Sequence, residues 1–68
     1  MSTLIHASDF VNKLWNRHSR HVKNVCANNS IEIQNAMIKK LALNELESIS
    51  YFTEDNQFIT DCKRILYK

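Results

Sequence analysis

The chain predicts an all-α fold, a small three-helix bundle built from a helical hairpin and a third helix. Three observations predict it. The 68 residues include neither glycine nor proline, on which tight turns and hairpins lean for their special backbone angles. Apolar residues recur at three- and four-residue steps, the spacing that lines one side of a helix. Two short polar stretches, Asn28-Asn29-Ser30 and Thr53-Glu54-Asp55-Asn56, break that rhythm. Lack of glycine also argues against phosphate-cradling loops, where the backbone must approach the ligand closely.

In the first segment Leu4, Ala7, Phe10, Val11, Leu14, Trp15, Val22, Val25 and Cys26 form one apolar face. Asn12, Lys13, Asn16, Arg17, Ser19, Arg20, Lys23 and Asn24 lie opposite. Helix 1 is expected over about Ser8 to Ala27, with Thr3 or Ser8 as N-cap and Asp9 near the positive end of the dipole. An added first turn from Thr3 fits the same pattern.

Asn29 with Glu32 three residues on has the form of a capping box, and helix 2 follows over about Ile31 to Ser50. Its main stripe is Ile31, Met37, Ile38, Leu41, Ala42, Leu46, Ile49 and Phe52. Ile33, Ala36, Leu43 and Tyr51 form a second, weaker stripe, so this helix should be touched on two sides. A strand through Ser48 to Thr53 is the competing reading, because Ile49, Tyr51 and Phe52 favour strands. Thr53 should cap helix 3, about Glu54 to Tyr67, with acids in its first turn. Phe58, Ile59, Cys62, Ile65 and Leu66 form its apolar face, and Lys63, Arg64 and Lys68 stand at its negative end.

Composition bounds the function. The hydrophobic share of 44% and charged share of 24% describe one globular domain, residues 1–68. It is short enough that natural examples often add a partner subunit. A net charge of +2 does not by itself dictate a partner. No apolar run approaches the length of a membrane span, and the first ten residues lack the pattern of a secretory signal. Cys26 and Cys62 sit on apolar faces without metal-ligand spacing, as reduced thiols in a cytoplasmic protein would.

The candidate site residues fall into two sets. Lys13, Arg17, Arg20 and Lys23 recur at helical spacing as a basic stripe on the wet face of helix 1. That stripe suits an acidic protein surface or nucleic-acid phosphates, although a merely solvated face has the same pattern. Trp15, Ile33, Leu43 and Tyr51 are apolar residues that three helices cannot all enclose, which points to a partner or a homo-oligomer.

His18, His21 and Cys26 do not make a convincing zinc set, since a structural site wants four ligands. A core histidine bonded to a neighbour is the expected role for His18. Glu45 and Glu47 are two apart on a helix, so their carboxylates diverge rather than pair for catalysis. A helix-turn-helix from helices 2 and 3 would present Glu54 and Asp55 to the duplex, which repels them. Glu45-Leu46, Tyr51 and Asp55 resemble a stretch of the small nucleoid-modulating Hha family. That family reads Asp-His-Arg where this chain has Asp55-Asn56-Gln57, and its closing tryptophan segment has no counterpart. No fold, partner or site residue is carried over from it.

The resulting expectation is a non-enzymatic helical regulator or adaptor that binds another protein, without metal or cofactor. The runner-up is a nucleic-acid-binding transcriptional regulator using the basic face of helix 1.

Overall fold

Three helices follow one another in the order α1 (Thr3–Val25), α2 (Ile31–Ser50) and α3 (Asn56–Tyr67). The computed structural model describes residues 3–67, with side chains from residue 6 onward. Leu4 and Lys68, read above as an apolar-face and a helix-end residue, have side chains outside the described set. Among the described residues the backbone has no strand and no positive φ.

α1 begins five residues before Ser8. The expected Ser8 cap is therefore an interior residue, and the true N-cap position lies outside the described residues. Asp9 consequently stands beyond the first turn, where the dipole fades, and its carboxylate pairs instead with Lys13 at 3.3 Å.

The first turn is closed by side chains that replace the missing glycine. Ser30, not Asn29, is the N-cap of α2: its backbone is extended and its hydroxyl accepts from the Ile33 N–H. Gln34 is buried on the core side of α2 and donates from Nε2 to two carbonyl oxygens, Cys26 at 3.0 Å and Asn29 at 3.1 Å. Helix-end carbonyls need such donors when no left-handed residue turns the chain back.

The strand reading of residues 48–53 fails. α2 continues through Ser50 and ends on Tyr51, whose N–H still reaches the Ile49 and Ser48 carbonyls. α3 starts two residues later than expected, because Asp55 is its cap and accepts from the Phe58 N–H at 3.0 Å. Thr53 acts one step earlier, accepting from the Asp55 N–H at 3.1 Å.

The main core joins Ala7, Val11 and Leu14 of α1, Ala42 and Leu46 of α2, and Ile59, Cys62 and Leu66 of α3. Phe10 and Phe58 close its edge as a tilted aromatic pair with centroids 5.5 Å apart. A second cluster, Val22, Cys26 and Ile38, belongs to α1, α2 and the turn between them. Trp15 and Leu41 pack against it, and Trp15 also packs against the main core.

Length explains the division. Helices of 23, 20 and 12 residues span about 34, 30 and 18 Å at 1.5 Å per residue. α3 covers one half of the α1–α2 hairpin, and the end carrying the 26–30 turn is a two-helix structure. The molecule is accordingly long, with extents of 40 × 22 × 16 Å.

Candidate functional site

α2 holds both neighbours by carboxylates that point apart. Two residues are 200° apart on a helix, so Glu45 faces α1 and Glu47 faces α3. Glu45 receives the Arg17 guanidinium on one oxygen and His18 Nε2 on the other, at 3.1 Å for the imidazole. Glu47 takes the Lys63 ammonium at 3.3 Å. His18 is thus partly buried and bonded across the hairpin, not grouped with His21 and Cys26. Among the described residues no three His, Cys, Asp or Glu side chains gather as a metal site would require.

These contacts divide the basic stripe. Lys13 is engaged by Asp9 and Arg17 by Glu45. Arg20 and Lys23 are exposed, and among the described residues neither has an ion-pair partner. The charge free to meet a partner therefore lies toward the 26–30 turn.

The apolar set divides as well. Trp15 and Leu43 are half-buried against the chain's own core, while Ile33 is 51% and Tyr51 80% exposed. Four residues read as core are exposed instead: Val25, Ile31, Met37 and Phe52. Val25 is the last residue of α1, and Ile31 the first of α2, at 66% exposure each. Both face the core line by helical angle, but no third helix reaches that end. Phe52 lies beyond the last turn of α2, where the helical angle no longer directs it inward, and is 90% exposed.

Met37 marks the seam of the hairpin, with its Sδ 3.4 Å from Cys26 Sγ. Ile33 stands one turn before it and Lys40 one turn after, on the same side of α2. Lys39 is 200° from Met37 and lies over the Tyr67 ring of α3, 4.9 Å from its centroid. Ile33 and Met37 therefore face away from α3. The hairpin end thus presents Val25, Ile31, Ile33 and Met37 within a basic surround. Residues 18–41 carry Arg20, Lys23, Lys39 and Lys40 against Glu32, a net +3 with histidines neutral. The rest of the sequence has five Lys/Arg against six Asp/Glu, a net −1.

An open cleft of about 330 Å³ between α1 and α3 is lined by Val11, Asn12, Trp15, Ile65 and Leu66. It offers one polar side chain and no titratable group, so it supplies no acid, base or nucleophile. No helix among the described residues is long and apolar enough to cross a membrane. The chain matches no family model, and neither curated proteins nor solved structures give a match.

Proposed function

We propose that the protein is a small non-enzymatic helical adaptor or regulator that works by binding another protein through the turn end of its α1–α2 hairpin. One observation carries this reading: exposed aliphatic side chains and the surplus of positive charge coincide at that end. The local core of Val22, Cys26 and Ile38 is closed without them. Apolar side chains that a fold does not use, rimmed by like charge, are the usual mark of an interaction site. Arg20 and Lys23 keep their sequence-predicted role here, with Ile33 as the apolar anchor, and Val25, Ile31 and Met37 join them.

A self-contact is the second part of the proposal, and it uses the opposite end. Tyr51 and Phe52 are the most exposed large apolar side chains described. Two copies meeting there would bring regions of net −1 together, whereas two turn ends would oppose +3 with +3. Like charges facing one another are costly.

The experiment is capture from the protein's native cells with the wild type, an Arg20→Glu/Lys23→Glu variant and an Ile33→Asp variant. Both variants should melt within about 4 °C of the wild type, as exposed substitutions do in a small domain, and lose the captured protein. A Tyr51→Ser/Phe52→Ser variant should keep the capture and lose self-association in sedimentation at micromolar concentration. Capture retained by both turn-end variants removes the adaptor reading.

A further inference from the structure

We infer that the turn end of the hairpin receives an acidic amphipathic helix of another protein, laid along the α3-free side of α1 and α2. This rests on the adaptor reading and specifies the partner's chemistry. Backbone shape narrows the mode of binding first. Both helices use their backbone groups internally, so there is no sheet edge onto which a peptide strand could add. A proline-rich ligand needs an aromatic-lined groove, and the exposed side chains here, Val25, Ile31, Ile33 and Met37, are all aliphatic or thioether. Two antiparallel helices with protruding aliphatic rows suit a third helix packed into the groove between them. Met37 adds a flexible side chain that adapts to the partner's shape.

Charge then selects the polar face of that helix. Lys40 lies one turn from Met37 on the same side of α2 and is exposed. Arg20 and Lys23 stand on α1, within a helix diameter of the approach path. Such a diameter is about 10 Å, close to the screening length at physiological salt, so all of them act on an incoming ligand. Glu32 alone opposes them in this part of the chain. A carboxylate-bearing helix is attracted and a basic one repelled.

Rival occupants fit less of what is seen. A nucleic-acid backbone would use the charges and leave Val25, Ile33 and Met37 without an apolar counterpart. An anionic membrane surface favours aromatic and leucine-rich insertion, and no aromatic side chain belongs to this patch. A second copy of the chain meets it with like charge.

The test titrates the isotope-labelled full chain with two synthetic 14-residue helical peptides. Both carry leucine at positions 3, 7 and 10, and their polar faces are all glutamate or all lysine. The glutamate peptide should shift the Val25, Ile33, Met37 and Lys40 signals and bind at least tenfold more tightly than the lysine peptide. Ile33→Asp should abolish that binding, and Lys40→Glu should weaken it about tenfold without changing the spectrum elsewhere. Equal affinity for both peptides overturns the inference. So does a stronger response of the same signals to generic duplex DNA or to phosphatidylserine vesicles. Shifts confined to the Trp15 cleft or to residues 51–55 overturn it too. Failure here, with a cellular protein still captured through Ile33, rejects the acidic helix and leaves the adaptor reading standing.

Discussion

Cys62 is fully buried, with its Sγ 4.0 Å from the Ala7 carbonyl oxygen and the Asp61 carboxyl next to it in sequence. Burial, and secondarily the charge of Asp61, pushes its thiol up from 9.0 to about 11. Between these values the unfolded chain loses the proton while the folded chain keeps it. Folding stability contributed by this group is therefore complete below pH 9 and falls as pH rises toward 11. Denaturant melts across that interval should slope downward, and Cys62→Ala should flatten the slope. The wild-type thiol should also resist alkylation in the native state at neutral pH; rapid modification without denaturant would contradict its burial. Gln34 shows the other side of residue-level reading. A polar residue on the core side of α2 breaks the apolar pattern, so periodicity passes over it. Its role follows from the absence of glycine at the end of α1, which leaves carbonyls that a side-chain amide has to satisfy.

At the scale of elements, periodicity locates three helices, and the second to both of its ends, because strong 3.6-residue repetition survives tertiary detail. The ends of α1 and α3 differ from expectation because capping depends on which side chain reaches which N–H. Asn29, Ser30, Thr53 and Asp55 are all competent caps. The inner stripes are legible at Leu14, Ile38, Leu46 and Cys62, which lie where two or three helices overlap. They mislead at Val25, Ile31 and Phe52, where an element runs past its neighbours. The caps themselves make a quantitative expectation. Ser30→Ala and Asp55→Ala should each destabilise the protein by about 1 kcal/mol. Asn29→Ala should change little, because the Ile33 N–H is already bound by Ser30. A larger effect from Asn29 than from Ser30 in urea titrations would reverse the assignment of the cap.

For the whole molecule, the radius of gyration of 12.6 Å exceeds the roughly 11 Å of a compact chain this long. The excess comes from the half of the hairpin that α3 does not cover. Such a division is not readable in the sequence, since the pattern gives helix faces but not how far one helix extends along another. Nor does the basic stripe reveal that Lys13 and Arg17 are engaged within the chain; that requires Asp9 and Glu45 to be placed beside them. Folded this way, one half of the molecule holds the three-helix core, and the other carries free positive charge and unused aliphatic surface. The central claim is that the second half is where a partner sits. Amide hydrogen exchange on the protein with and without its captured partner tests this most directly, because it reports protection along the whole backbone. The account predicts added protection within residues 21–41 of the hairpin end and little change in α3. Protection concentrated in residues 51–60 or beside Trp15, with the hairpin end unchanged, would contradict it.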